Sequence, residues 1–289
     1  LFLRLIEQVG GAAHVPQVLY YWRVHAGSTS GGADAKPYVA AAAKKALADH
    51  LTRTGRTGTV EDGLFPSTYR VKWDIVGEPK VSILIPNKDH TEDLEKCLHS
   101  IWTKTDWEHF EVIVVENNST DPATFAYYKK AQQRYDGLRV VTYPKKGFNF
   151  SGINNFGRKY ATGAYLLLLN NDTEVTEDTL HYLRETLDND RSIGAVCPKI
   201  RFFAPPQHIQ FAGYTPLTRI TLRNALIGFG EPDDGRYDTP HDTPYAHGAA
   251  MMVRRETLEK AGPMPEIYFL YYEELDWSVR IREQGRRIV

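Results

Sequence analysis

The sequence reads Tyr165-Leu-Leu-Leu-Leu-Asn-Asn-Asp172-Thr-Glu174, so that four consecutive leucines run directly into three polar residues. A short apolar run of this length is typical of a strand that is buried on both faces of a parallel sheet. Asn170, Asn171 and Asp172 would emerge at the carboxyl end of that strand, where an acidic oxygen can hold a divalent cation. Asn and Asp are also frequent in turns, so a plain strand-to-turn transition stays open as the alternative.

Short apolar strands alternate with helical segments on both sides of this stretch. Strands are predicted at 81–85, 110–115, 138–143, 165–169 and 193–198, and helices at 94–102, 122–135, 153–161 and 176–188. This alternation predicts an α/β fold with a mostly parallel sheet sandwiched by helices. Ligands of such sheets bind at the carboxyl ends of the strands, which here carry Pro86-Asn-Lys-Asp89, Glu116 to Asp121 and Asn170 to Asp172.

Composition and charge exclude several classes of protein. The 289 residues carry a formal net charge of -1, so no broad basic surface for nucleic acid is expected. Two cysteines, Cys97 and Cys197, cannot build a disulfide framework and favour reduced thiols in the cytosol. No apolar run approaches the roughly 18 residues of a membrane helix. Neither a Gly-x-x-x-x-Gly-Lys-[Ser/Thr] loop nor a Gly-x-Gly-x-x-Gly fingerprint occurs, which weighs against P-loop and Rossmann-type dinucleotide enzymes.

Three parts are expected along the chain: an N-terminal helical and extended piece at 1–35, a helical linker and connector at 36–79, and a main domain at 80–289. The first residue is Leu rather than Met, so we expect a fragment of a longer protein. The stretch Leu1-Phe-Leu-Arg4-Leu-Ile-Glu7-Gln8 is similar to Trp277-Ser-Val-Arg280-Ile-Arg-Glu283-Gln284, and either a duplication or chance explains this similarity.

An acidic cluster follows the aromatic run at 268–272. Three carboxylates, Glu273, Glu274 and Asp276, repel one another, which raises the pKa of one or more of them. A carboxylate with a raised pKa can act as a general base near neutral pH. The alternative is a helix start, where acidic residues favour the helix dipole. Upstream of this cluster, Gly248 beside His247 would allow a substrate to approach the backbone closely, although a bulged strand is the plainer interpretation.

Two further segments carry amides and carboxylates next to predicted strands and helices. The turn from Glu116 through Asn118 to Asp121 could accept hydrogen bonds from a base or ribose, or it could cap the helix that follows Pro122. Asn154 and Asn155 fall inside a predicted helix, where asparagine is unfavourable unless its side chain bonds a specific partner. A ligand contact and a structural role both remain open for these residues.

The order of these motifs resembles the inverting glycosyltransferase family 2, which has the GT-A nucleotide-sugar fold. The resemblance covers about residues 80–289 and rests on the stretches Val81-Ser-Ile-Leu-Ile-Pro-Asn-Lys-Asp89, Val112-Ile-Val-Val-Glu-Asn-Asn-Ser-Thr-Asp121, Phe148-Asn-Phe-Ser-Gly-Ile-Asn-Asn-Phe-Gly157, Leu168-Leu-Asn-Asn-Asp-Thr-Glu-Val175, His247-Gly-Ala-Ala-Met-Met-Val-Arg-Arg255 and Phe269-Leu-Tyr-Tyr-Glu-Glu-Leu-Asp-Trp277. Each stretch is moderately specific, and together in this order they are highly specific.

The resemblance implies a role for each matching residue. It implies a donor site formed by Pro86, Asn87, Asp89, Glu116, Asn118, Asn154 and Asn171. It implies a Mn or Mg cation on Asp172, which carries more of the metal because Asn170 replaces the first acidic residue of the Asp-x-Asp motif. Glu274 stands where the family commonly has the catalytic Asp, with Glu273 as the rival and Asp276 in the same cluster. His247, Gly248 and Trp277 are expected near the acceptor.

The activity that the resemblance implies is transfer of a sugar, with inversion, from a nucleotide-diphosphate sugar to a saccharide or lipid-linked saccharide. The expected setting is the synthesis of cell-surface polysaccharide in the cytoplasm, with peripheral association at the inner face of the membrane. The alternative is a catalytically impaired scaffold domain that binds carbohydrate or nucleotide, because Asn170 and Glu274 depart from the family pattern. Residues 1–30 resemble the tail of a preceding family 2 domain, in which His25 would be a metal ligand.

Overall fold

The computed structural model describes residues 1–13, 15–21, 38–63, 65, 67–74, 77, 79–205 and 207–289. The chain divides into two compact units, Leu1–Val76 and Gly77–Val289. His25, predicted from the resemblance as a metal ligand, lies outside the described residues. Among the described residues, no helix is long and apolar enough to cross a membrane.

The first unit contains two helices and a hairpin: α1 (Phe2–Val9), α2 (Tyr38–Arg53), β1 (Gly58–Asp62) and β2 (Tyr69–Trp73). The two strands pair in an antiparallel ladder. Glu7 links the helices, because its carboxylate accepts two hydrogen bonds from the Arg53 guanidinium, at 2.8 and 2.9 Å, and also contacts the His50 ring. Part of the predicted N-terminal helical piece is therefore held to the predicted linker helix by a charged contact.

The second unit alternates strands and helices as the sequence predicts. Its elements are β3 (Val81–Asn87), α3 (Thr91–Lys104), β4 (Phe110–Glu116), α4 (Pro122–Arg134), β5 (Leu138–Thr142), α5 (Phe150–Gly157), β6 (Tyr165–Leu169), α6 (Thr179–Asn189), β7 (Ile193–Val196), β8 (Ile200–Arg201), β9 (Ile209–Phe211), β10 (Ala250–Arg254), α7 (Arg255–Ala261), α8 (Glu273–Glu283) and β11 (Arg287–Ile288).

Seven strands of this unit form one sheet in the order β11-β7-β10-β6-β3-β4-β5. All neighbouring strands in it pair in parallel except β10, which is antiparallel to both β6 and β7. Every residue of β6 is buried, and alternate leucines serve opposite faces. Leu167 packs in the cluster that includes residues of α3, α4 and α6, whereas Leu168 packs in the cluster with α5, α7 and α8. The predicted mostly parallel sheet sandwiched by helices is therefore confirmed.

The strand order places a switch point between β3 and β6. From β3 the chain adds β4 and then β5 on one side of the sheet, and it then returns to add β6 on the other side. The connections that leave β3 and β6 therefore diverge, which opens a crevice at the carboxyl ends of these two strands. Asn87 ends β3 and Asn170 follows β6, so the polar residues Asn170 to Asp172 reach this crevice.

Candidate active site

A cavity of about 630 Å³ lies at the switch point. Segments distant in the chain form its wall, from the end of β3, the loop after β6, the segment before β10 and the start of α8. Residues predicted from the sequence to belong to the site lie on this wall: Pro86, Asn87, Asn170, Asn171, Asp172, His247, Gly248, Glu273 and Glu274. The fold therefore brings the predicted metal residue, two of the three predicted catalytic carboxylates and part of the predicted donor site to one cavity.

A pair of amides joins the two strands that border the crevice. The Asn171 side chain donates to Oδ1 of Asn87 at 2.6 Å, across the gap between β6 and β3. Asn87 is buried, and its own Nδ2 donates to the Tyr128 hydroxyl at 2.8 Å and to the Asp89 carbonyl at 3.1 Å. Because these bonds fix both amide groups, the cavity floor at this point is rigid and polar.

Asp172 is the residue most suited to a divalent cation. Its side chain is exposed and lies on the cavity wall. Among the described residues, no group of three or more His, Cys, Asp or Glu side chains is arranged to hold a metal ion. A single carboxylate fits a cation that takes its other ligands from substrate phosphates and water, as Mg²⁺ commonly does. The donor set therefore fits a cation that arrives with a diphosphate, and it does not fit a permanent structural metal.

Two adjacent carboxylates, Glu273 and Glu274, face the cavity from the first turn of α8. Burial raises the pKa of Glu274 to about 7, and the neighbouring Glu273 carboxylate contributes through repulsion. Burial also raises the pKa of Glu273, whose Oε2 atom is buried without a hydrogen-bond partner among the described residues. A helix N-terminus favours ionised carboxylates, but loss of solvent outweighs that effect here. Glu274 is thus suited to exchange a proton near neutral pH.

The segment that leads into these carboxylates is held by two asparagines of the α5 region. Asn155 donates to the Met264 carbonyl at 2.8 Å and accepts from the Met264 N–H at 3.0 Å. Asn149 caps α5 through the Gly152 N–H and also donates to the carbonyls of Glu266 and Tyr268. No sequence pattern predicts a role for Asn149, and only the cost of asparagine inside a helix points to Asn155.

His247 forms an uncharged part of the wall. Its Nδ1 accepts a hydrogen bond from the Ala249 N–H at 3.1 Å, and its ring stacks on Tyr214 with 6.0 Å between ring centroids. Burial lowers the pKa of His247 to about 4, so the imidazole is neutral at pH 7. A methyl group at Gly248 would meet the Phe150 ring at 3.7 Å, an ordinary contact, so this glycine is not required by crowding.

Two residues that were expected beside the acceptor or the catalytic base lie away from the cavity. Trp277 is 2 % exposed, packs in the core, and donates its indole N–H to the Gly262 carbonyl at 3.1 Å. Asp276 accepts from Arg280 at 2.7 Å and from the Tyr268 hydroxyl at 3.1 Å. Both side chains are engaged in internal contacts, and neither lines the cavity.

Four residues expected at the donor also lie behind the wall. Glu116 is 1 % exposed, and its carboxylate accepts from the Tyr128 hydroxyl and from both the N–H and the hydroxyl of Ser119. Asp89 accepts from the backbone N–H groups of Asp121 and Thr120, which lowers its pKa. Asn118 and Asn154 donate to backbone carbonyls, those of Lys145 and Phe150 respectively. Their bonds hold the turn after β4 and the helix α5, and none of the four lines the cavity.

Comparison with known proteins identifies the family. The model of the family described as "Glycosyl transferase family 2" matches residues 82–262. The O-antigen biosynthesis protein RfbC of Myxococcus xanthus is 32% identical over 303 residues, which cover 100% of this chain and 22% of that protein. The uncharacterized protein y4gI of Sinorhizobium fredii is 30% identical, over 99% of this chain and 32% of its own length. The chain therefore spans a third or less of these two relatives.

Solved structures support the same assignment at the level of the fold. The mannosyltransferase PcManGT from Pyrobaculum calidifontis, in complex with GDP-Man and Mn2+, superposes with a TM-score of 0.53 and 19% identity. The superposition covers 88% of this chain and 63% of that structure. The sheet sandwiched by helices is thus a GT-A fold. The family model matches more than half of the chain, including both strands of the switch point and the polar end of β6. The chain therefore belongs to glycosyl transferase family 2.

Proposed function

We propose that this chain transfers a hexose, with inversion, from a nucleoside-diphosphate sugar to a hydroxyl of a saccharide or lipid-linked saccharide acceptor at the cytoplasmic face of a membrane. The observation that carries the proposal is the placement of Asp172 and Glu274 on one cavity at the switch point of a GT-A sheet. A role in cell-surface polysaccharide is supported by the relative named for O-antigen biosynthesis.

The residues divide the chemistry between the two sides of the cavity. Pro86 and Asn87 line the cavity at the end of β3, where we place the nucleotide, and Asn171 and Asp172 line it just after β6, where we place the diphosphate. A divalent cation, when bound at Asp172, supplies positive charge that stabilises the departing nucleoside diphosphate.

From the first turn of α8, Glu274 accepts the proton of the acceptor hydroxyl. The hydroxyl oxygen then forms a bond to the anomeric carbon as the bond from that carbon to the diphosphate oxygen breaks. Attack occurs on the face opposite the leaving group, so the anomeric configuration inverts. The neutral His247 lets sugar hydroxyl groups approach this part of the wall without placing a second charge beside Glu274.

A panel of nucleoside-diphosphate sugars with Mn²⁺ and saccharide acceptors tests the proposal. We expect release of nucleoside diphosphate with one donor, and a glycosidic product whose anomeric configuration, read by NMR, is opposite to that of the donor. Binding of nucleotide without transfer to any acceptor would instead favour a scaffold role. A product of retained configuration would contradict the assignment of Glu274 as a base, because retention requires a different sequence of steps.

The pH dependence of transfer follows from the position of Glu274. A base must be ionised to accept a proton, so kcat/KM should rise with pH below about 7 and level off above it. Initial rates at subsaturating donor, measured from about pH 4 to pH 9, give this profile. Replacing Glu273 by Gln removes the neighbouring repulsion, so the inflection should move to lower pH. If the inflection of the parent chain instead lies at about pH 4 to 5, the ordinary range of a glutamate, and does not move in Glu273→Gln, the assignment of Glu274 is contradicted.

Substitution of Asn155 by Leu tests whether the segment before α8 positions the catalytic carboxylates. Leucine keeps a similar volume and removes both amide bonds to Met264, so we expect kcat to fall by about tenfold. Affinity for nucleotide should change little, because Asn155 does not line the cavity. The matched control is Asn154→Leu, whose amide bonds the Phe150 carbonyl within its own helix. Equal losses of kcat in the two variants would contradict a positioning role.

A further inference from the structure

Exposed apolar side chains lie at Phe148 and on two segments, 217–226 and 265–272, each of which contributes to the cavity wall. Ile220 is 94 % exposed, Ile267 is 87 % exposed and Phe269 is 70 % exposed. Leu222, Leu270, Tyr271, Tyr272 and Phe148 are also exposed large hydrophobic residues. We call these eight residues the apolar rim. Single exposed apolar residues are ordinary, but a group of this size beside a site marks a surface that contacts a partner or a membrane.

Two contacts connect members of the apolar rim, and three of its residues also line the cavity. The Phe148 and Phe269 rings meet edge to face with 5.9 Å between their centroids. The Tyr272 hydroxyl donates to the Leu222 carbonyl at 3.5 Å, which joins the two segments. Phe148, Leu270 and Tyr271 also line the 630 Å³ cavity. A surface that covered the apolar rim would therefore lie against the opening of the proposed active site.

Three residues of the apolar rim have a strained backbone conformation. Leu222 has a φ of 51°, and Tyr271 and Tyr272 each have a φ of 69°. Bulky residues rarely adopt this left-handed region, and the cost is on the order of 1–3 kcal/mol for each. Glycine would remove that cost, so these positions carry large apolar side chains despite the strain. Strain of this kind is typical of functional surfaces.

On the segment 213–226 the exposed charges are positive, whereas Glu273 and Glu274, which follow Tyr272, are buried. The segment 213–226 contains Arg219 and Arg223 and no acidic residue, and both arginines are exposed. On the other segment the Glu266 carboxylate is paired with Lys145 at 3.1 Å. Exposed apolar side chains with arginines beside them are complementary to the interface of an anionic lipid bilayer. A saccharide fits less well, because Ile220 and Ile267 offer neither a hydrogen bond nor an aromatic face.

We propose that the apolar rim inserts into the interface of an anionic lipid bilayer, with Arg219 and Arg223 at the headgroups. The mouth of the cavity then opens onto the membrane surface, where it receives an acceptor that is itself anchored in lipid. The choice of acceptor rests on the proposed function, whereas insertion of the apolar rim does not. Vesicle binding is measured without turnover, so the two proposals fail separately.

Co-sedimentation of the whole chain with vesicles tests this inference. We expect binding to phosphatidylcholine vesicles that contain about a third phosphatidylglycerol, and much weaker binding to phosphatidylcholine alone or at high ionic strength. The variant Ile267→Ser with Phe269→Ser should bind at least about tenfold more weakly. Arg219→Ser with Arg223→Ser should lose about tenfold on anionic vesicles only. The matched control is Phe125→Ser with Val279→Ser, two exposed apolar residues outside the apolar rim, which should bind as the parent chain does.

A second measurement keeps the test independent of folding defects. Phe269→Trp should show quenching by brominated lipid beyond that of the parent chain, whereas Phe125→Trp should not. Three results would overturn the inference: no binding of the parent chain to anionic vesicles, equal binding of the Ile267→Ser, Phe269→Ser variant, or equal quenching of the two tryptophan variants. The inference would also be overturned if the Ile267→Ser, Phe269→Ser variant kept its vesicle binding but lost affinity for a soluble saccharide, because the apolar rim would then be a saccharide-binding surface.

Discussion

Replacing Glu274 by Gln is expected to lower kcat of sugar transfer by about 10²–10⁴-fold, the range over which a positioned general base contributes. Glutamine keeps the size and the hydrogen-bonding ability of the side chain but cannot take a proton from the acceptor. Metal-dependent nucleotide binding should be retained, because the loss concerns the acceptor side of the cavity. Steady-state rates at saturating donor and acceptor provide the measurement.

The free energy of unfolding distinguishes a loss of kcat in Glu274→Gln from a loss of folding. The pKa of Glu274 in the folded chain, about 7, lies above the ordinary value of 4.5 that we take for the unfolded chain. The folded state therefore binds the proton more tightly, and the free energy of unfolding falls as pH rises from about 4.5 through 7. Glutamine does not ionise, so Glu274→Gln should be more stable than the parent above pH 7, by up to about 3 kcal/mol.

The controls for this prediction are the two neighbouring acids. Asp276→Asn should keep most of the activity, because Asp276 is engaged by Arg280 and Tyr268 away from the cavity. Glu273→Gln should keep activity with a shifted pH profile. If Glu273→Gln abolishes transfer while Glu274→Gln retains it, Glu273 is the base and the assignment of Glu274 is wrong.

Asp172→Asn carries the second large expected effect. Loss of the carboxylate removes the anchor for a divalent cation, which is worth several kcal/mol of charge stabilisation at the leaving group. We therefore expect kcat/KM to fall by about 10²–10³-fold, with a loss of response to added Mn²⁺. Titration of initial rates with Mn²⁺ gives both quantities.

The matched control for Asp172 is Glu174→Gln. This substitution removes a carboxylate two residues further on, which is paired with Lys104 at 3.2 Å and does not line the 630 Å³ cavity. Its activity and Mn²⁺ response should stay within about twofold of the parent, as expected for an exposed ion pair. An equal loss in both variants would point to general electrostatics of the loop, in place of a metal ligand.

Much of the fold is predictable because its signals are local. Strand β6, with its run of leucines, spans 165–169 as predicted, and Pro122 begins α4 as predicted. Two helix boundaries differ from the prediction, and a side-chain cap explains the first of them. Helix α5 begins at Phe150, because the Asn149 side chain accepts from the Gly152 N–H, and α6 begins at Thr179 instead of 176. The antiparallel position of β10 was not predicted, since it is set by long-range pairing with β6 and β7.

The site was predictable where residues follow strands, and less so where tertiary contacts decide. Asn87 and Asp172 reach the cavity because strand ends at a switch point converge there. Glu116 also ends a strand, but three hydrogen bonds from Ser119 and Tyr128 turn its carboxylate inward. Trp277 is drawn into the core by its packing and by the Gly262 carbonyl. No local pattern distinguishes a carboxylate or indole engaged in this way from one that faces a ligand.

Calorimetric titration with nucleoside diphosphates, with and without Mn²⁺, tests the central claim most directly. The claim is that one cavity holds both a metal-dependent donor site at Asp172 and a base at Glu274. The parent chain and Glu274→Gln should bind one nucleoside diphosphate only with Mn²⁺ present, and Asp172→Asn should lose that binding. Binding that needs no metal, or that survives in Asp172→Asn and disappears in Glu274→Gln, would contradict the account.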